Sequence, residues 1–444
     1  MARKRTYSAQ CVDRISVEQV APSLESGCIV ALDVAKEKFV GALVSSEGVA
    51  VKLFRFEHPK QTRLFLAMVV ELQRVLGAAK VKVAMEPTGT YGDAIRYQLE
   101  QVGVPIWMVA PKKTHDSQAL FDDVASLHDP KCAVQVGKLC SMGLASAWRG
   151  RAETQARLRA LVELRGHEVG HEERCFGRIE AMLARHWPEL EECLDIRVHK
   201  TALALLAEFP SPARVAAAPA QVSDLMRKVS RSHFSPDRIR GFIDACTSTL
   251  GVPMVQEEEK LLSTLITQVA DVRRRTGLLE EEMNHVGSTD EAFTHLAPWM
   301  GSFTAAAIVT LCDPRHYEHA RQLEKACGLN LRERSSGRDN DFPGRIRLRV
   351  TKRGPSLVRK LLFLFALRMI EKDATVHAWY VRRRRYLAGA KIAAVVAVMR
   401  KLVRAVFYVA RGSVFDAKRL FDLRRLELPN GQANSTAEAN AAAV

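Results

Sequence analysis

The stretch GCIVALDVAKEKFVGALVSSEGVAVKLFRFEH, residues 27–58, limits the possible folds more than any other part of the chain. CIVALDV is an apolar run, KFVGALV follows after a short charged break, and SSEG is a turn before VAVKLFRF, so three strands in hairpin order are expected. A helical stretch, KQTRLFLAMVVELQRVLGAA, then leads into the strand KVKVAME, the helix GDAIRYQLEQVG and the strand VPIWMVA. Hairpin-ordered strands followed by alternating helix and strand describe an α/β layer structure, here assigned to residues 28–150. The basic segment before it, residues 1–27, reads as a flexible tail with no apolar core that would make it a signal peptide.

This order of elements is also that of the RNase-H-like nuclease fold, and three acids stand where such a nuclease needs them. Asp33 lies inside the first apolar strand, Glu86 ends the fourth, and Asp129 sits in SLHDPKCAVQVGKL just before a helix. A carboxylate within an apolar strand is costly unless it is paired or bound to metal. Carboxylates clustered at strand ends hold hard cations such as Mg²⁺, and two such ions clamp both sides of a phosphodiester. The alternative is three unrelated surface acids near turns. Tyr91 and Trp107 read as core residues rather than base-stacking platforms.

A chain of 444 residues, 47% hydrophobic, exceeds one ordinary core, so two or three domains are expected. No run of about 18 apolar residues is free of charge, which argues against a membrane span. Nine scattered cysteines with no CxxC pair fit a reducing cytoplasm without a zinc site or disulfide framework. The formal charge is +16, and residues 331–444 hold 25 Lys and Arg against 9 Asp and Glu, so the whole excess lies there. Segregated positive charge is the footprint of a polyanion, in preference to a helical region exposing Lys and Arg for solubility.

Residues 151–290 are helical, with two long amphipathic stretches around a smaller insert. They suit an antiparallel arm, a dimerising coiled coil or an intramolecular bundle. Residues 295–331 read as helix, turn, helix, able to hold DNA backbone through helix N-termini or simply to pack around Ala305–Ala307. Residues 291–425 form the mostly helical basic C-terminal domain, and 426–444 a low-complexity tail. Within that domain, RERSSGRDND sets Ser335 and Ser336 among arginines, either as a polar loop or as chemistry on a phosphodiester.

ALDVAKEKF, MEPTGTYGD and HDPKCAVQVGKL resemble the acidic motifs of the DEDD transposases of the insertion-sequence-110 family, relatives of the Piv DNA invertase. CGLNLRERSSGR with GRIRLRVTKRGPSLVRKLL resembles that family's C-terminal motif, and the likeness spans most of residues 28–425. The resemblance implies a RuvC-like domain with Asp33, Glu86 and Asp129 binding Mg²⁺, and Ser336 attacking the DNA phosphate to give a phosphoserine. Acids and serine are expected to act as one composite site across subunits of a homodimer or homotetramer. Arg334, Arg338, Arg345, Lys352 and Arg353 would bind nucleic acid and stabilise charge on the phosphate. A structured noncoding guide RNA made by the element is implied as partner beside donor and target DNA. The family's fourth acid is Cys132 here, with Asp122 and Asp123 nearby, and a thiol is a poor Mg²⁺ ligand. A copy that binds nucleic acid without cutting it, and a RuvC-like junction nuclease that never uses the serine, are the competing readings.

Overall fold

The computed structural model describes residues 8–87, 89–117, 128–150, 152–333, 348–387 and 389–422, and the chain divides into two compact units, 1–150 and 151–444. The first unit is built on a mixed sheet of seven strands. These are β1 (Gln10–Cys11), β2 (Cys28–Asp33), β3 (Lys38–Ser45), β4 (Ala50–Glu57), β5 (Val81–Met85), β6 (Ile106–Met108) and β7 (Ser146–Ala147). Their order across the sheet is β1-β4-β3-β2-β5-β6-β7. β2, β3 and β4 run antiparallel in sequence, while β5 lies parallel to β2 and β6 parallel to β5. This order is compatible with an RNase-H-like domain.

Burial on both faces explains why CIVALDV is a continuous apolar run rather than an alternating one. Val30 and Leu32 face a core with Phe39, Phe54, Phe56 and Phe65, which is covered by the helices Thr62–Leu76 and Asp93–Gln101. The Phe56 and Phe65 rings stack with centroids 4.6 Å apart. Each such fully buried ring contributes about 1.5–3 kcal/mol of transfer free energy. Ile29 and Ala31 face the other way, against the helix Asp129–Ser141. The small side chains of Ala31, Ala42 and Ala84 let that helix come close. At Gly137 an added Cβ would stand 2.5 Å from Val44 Cγ2, so the closest approach needs a glycine.

The flexible-tail expectation is corrected for residues 8–27. β1 pairs parallel with β4, and Val12, Val17, Val20 and Leu24 are buried in the sheet's core. Their spacing puts one apolar face on short helical turns, a signal masked by the charged residues around it. Residues 1–7 lie outside the described residues, as does the tail 426–444. Tyr91 is also corrected: it is 53% exposed, whereas Trp107 is partly buried beside the helix Asp129–Ser141.

In the second unit the long helices Glu153–His186 and Gln256–Gly287 pair antiparallel within one chain. Ion pairs fix the register: Arg165 with Glu280, Glu168 with Arg275, Glu172 with Arg273, and Arg185 with Glu258. At about 1.5 Å per residue each helix spans roughly 50 Å. The five short helices between them bury Trp187, Phe242 and their neighbours in a core at the far end. The near end enters a second core, with Leu158, Leu161, Met283 and Val286 among the helices of residues 291–420. Ala305, Ala306 and Ala307 are fully buried there, so the helical segment 295–331 packs through its small residues. Among the described residues no helix is long and apolar enough to cross a membrane.

Candidate functional site

Sheet register brings the sequence-predicted acids of the first unit together. Leu32 pairs with Met85 across β2 and β5, so Asp33 and Glu86 follow one another at the same edge of adjacent parallel strands. Asp129 opens the helix that packs across β2 and β3. His128 caps this helix by accepting a hydrogen bond from the Lys131 backbone N–H at 3.3 Å. The helix N-terminus tolerates a carboxylate because its dipole is positive there.

The three acids repel one another electrostatically. Asp33 is half-buried, and its pKa is raised to about 6 by burial first, then by Asp129 and Glu86, against a backbone hydrogen bond from Val34. Cys132, one turn along the helix from Asp129, is pushed up to about 11 by burial and then by Asp33, Glu86 and Asp129. The fourth member of the cluster is therefore a neutral thiol at physiological pH. Among the described residues no three His, Cys, Asp or Glu side chains stand at ligating separation. By chemistry alone, carboxylate oxygens are the donors a hard divalent cation takes, and a neutral thiol is not. Asp122 and Asp123 lie outside the described residues.

Arg96, in the helix Asp93–Gln101, is a neighbour of the Glu86 loop that no sequence motif marks. It is 4% exposed, pairs with Asp93, and donates to the Gly89 carbonyl at 3.5 Å. Its guanidinium lies 5.0 Å from the Trp148 ring, whose indole N–H donates to Glu100 at 2.9 Å. Arg96 thus braces the loop that leaves Glu86 and carries Tyr91. A single arginine in a short amphipathic helix gave no signal of this role.

The second unit holds the basic motif. β8 (Leu331–Glu333) pairs antiparallel with β9 (Leu348–Val350), and residues 334–347 join them. Arg334, Ser336, Arg338 and Arg345 lie in that connection, outside the described residues. Lys352 and Arg353 are described and exposed. They sit where two backbones cross: Lys352 N–H donates to Gly328 O and Thr351 N–H to Asn330 O, both at 3.0 Å. An added Cβ at Gly354 would lie 2.1 Å from Ala326 O, and one at Gly328 only 2.8 Å from Arg353 N. The glycines of CGLN and KRG are required by this crossing.

The first unit is a mixed sheet with Asp33 and Glu86 at adjacent strand ends and Asp129 at the start of a helix, and the chain's excess of positive charge lies in residues 331–444. Two family models match the chain: one described as "Transposase", of the DEDD type, over residues 30–188, and one described as "Transposase IS116/IS110/IS902 family" over residues 297–381. The first match contains Asp33, Glu86 and Asp129, and the second contains the β8–β9 connection with Lys352 and Arg353. No curated protein matches the chain. The chain belongs to the IS110 family of DEDD transposases and is a DNA transposase/recombinase, with DNA as its substrate.

Proposed function

We propose that this transposase moves an insertion sequence by cutting, covalent capture and rejoining of DNA, with Asp33, Glu86 and Asp129 as Mg²⁺ ligands and Ser336 as nucleophile. The first unit is read as a RuvC-like form of the RNase-H fold, supported by its strand order. The observation carrying the proposal is the sheet register: Leu32 pairs with Met85, which sets Asp33 and Glu86 at adjacent strand ends, with Asp129 at the start of the helix packed on those strands.

A divalent ion held by the three acids would polarise a phosphate oxygen and lower the barrier to attack. The Ser336 oxygen forms a bond to phosphorus and gives up its proton, while the bond from phosphorus to the leaving sugar oxygen breaks and that oxygen takes a proton. The hydroxyl of a second DNA end reverses these events, rejoining the strand and freeing the serine. Arg334, Arg338, Arg345, Lys352 and Arg353 bind the phosphates and stabilise charge on their oxygens. A structured noncoding guide RNA chooses donor and target sites, the active form is a homodimer or homotetramer, and the enzyme works at the bacterial nucleoid. Support for an RNA partner is the net charge of +16, all of it carried by residues 331–444.

Cys132 favours a second reading, a protein that holds nucleic acid without cutting it, because the thiol withholds one hard ligand. A recombination assay on donor and target plasmids, with the flanking noncoding region supplied, separates the two. A protein–DNA adduct on denaturing gels, present in wild type and absent in Ser336→Ala, supports the serine recombinase. Recombination in Cys132→Asp alone would show that the natural protein is a binder.

A further inference from the structure

The outward face of the helix Glu153–His186 carries His167, His171, Arg174 and Arg178 at spacings of four, three and four residues, which is one face of a helix. They line an open groove of about 420 Å³ between the two long helices, with Gln268 opposite. Most of the arginines nearby are already ion-paired. Arg165, Arg185, Arg273 and Arg275 bind Glu280, Glu258, Glu172 and Glu168. Arg174 and Arg178 are exposed and have no carboxylate partner among the described residues. Glu168, which also lines the groove, is taken up by Arg275, its two oxygens accepting from Nε and Nη2 at 3.1 and 2.9 Å.

Beside this row run Gly166, Gly170 and Gly177, inside a helix where each glycine costs about 1 kcal/mol relative to alanine. Packing does not demand them: a Cβ at Gly166 or Gly177 would meet nothing within 4 Å, and one at Gly170 only the Arg174 side chain at 3.5 Å. They leave the approach to the basic row free of side chains. The row is about 16 Å long at 1.5 Å per residue, over which one strand of a duplex presents about five phosphates.

We propose that this groove on the helical arm is a second nucleic-acid contact, which grips a phosphodiester backbone through Arg174 and Arg178 with His167 and His171 beside them. It rests on the nucleic-acid reading above and is separate from the acids and the serine motif. A second copy of the arm is a poor occupant, because its row is equally positive and the carboxylates facing its partner helix are already spent on arginines. A metal is a poor one too, since no three ligating side chains gather here among the described residues.

The test is salt-dependent binding of the full-length protein to a labelled duplex DNA and a labelled folded RNA, between about 50 and 200 mM salt. Arg174→Ala/Arg178→Ala should weaken binding about tenfold at the lower salt and flatten the log–log salt slope by about 2. Arg174→Lys/Arg178→Lys should restore both values, because a phosphate needs the charge. The melting temperature should not move, as neither arginine supports an ion pair. Loss confined to RNA assigns the groove to RNA, loss confined to DNA assigns it to DNA, and either supports the proposal. Normal binding and slope in the alanine variant, with both probes, overturns the groove alone. Failure of the wild-type protein to bind either probe overturns the functional reading along with it.

Discussion

In residues 151–444 the buried carboxylates are met by arginine. Glu324, 5% exposed in its side chain, accepts from Arg400 at 2.6 Å and Arg404 at 3.0 Å. Asp313 accepts from Arg315 and Gln155, and Arg315 also reaches Asp290 at 2.7 Å. Burial alone pushes the Asp313 carboxyl up, but its hydrogen bonds from Arg315 outweigh that and hold it below the ordinary value. In residues 1–150 Asp33 has the opposite surroundings. Its charged neighbours are carboxylates, no Lys or Arg among the described residues pairs with it, and its pKa rises. The first arrangement spends charge on holding a fold together. The second gathers like charges without a cation beside them, which is the ground for proposing a metal site there.

Removing one acid from each region is the harshest test of that contrast. Asp33→Ala should lower recombination by on the order of 10³-fold, corresponding to several kcal/mol of transition-state stabilisation, with the fold intact by circular dichroism. Glu324→Ala should do the reverse, costing about 3–5 kcal/mol of stability by leaving two arginines beside an empty buried position. Urea unfolding measures it, and a loss below about 1 kcal/mol would mean that the pair is not a structural lock.

Protonation sharpens the comparison because the two signs are opposite. Asp33 has a folded pKa near 6 against an ordinary 3.8, so its contribution to stability is complete below the lower value and disappears as pH rises through the upper one. Asp313 lies below 3.8, so its contribution is present above that value and is lost as pH falls through its folded pKa. With chelator present, Asp33→Asn should therefore raise stability at neutral pH by about 1–2 kcal/mol, after a discount for the partial exposure of Asp33. Thermal melts from pH 4 to 8 should show the wild type losing ground to this variant through about pH 6. Added Mg²⁺ should stabilise the wild type and have less effect on the variant.

The smallest effects concern the edges of the site. Cys132→Asp supplies a hard oxygen in place of a thiol and should tighten Mg²⁺ binding about tenfold by calorimetry. Arg96→Ala should loosen the Glu86 loop, costing about 1–3 kcal/mol and lowering activity less than Asp33→Ala does.

The main strands and the long helices were legible because each leaves a local signature. Apolar runs between turns gave β2 to β6, and an aspartate in such a run marked itself as costly. The approach of Asp33, Glu86, Asp129 and Cys132 followed from strand order and from one helix opening beside two strand ends. What local pattern could not express is pairing over distance. The antiparallel pairing of the two long helices within one chain rests on Arg165 meeting Glu280 and Arg275 meeting Glu168, which amphipathic spacing alone does not express. Val12, Val17, Val20 and Leu24 are held only because the sheet offers their short turns a buried face. The ion pairs also decided which arginines remain available to a partner. Composition fixed how much positive charge the chain carries, and tertiary structure decided where it is spent, because an arginine beside a carboxylate is neutralised and one facing water is not.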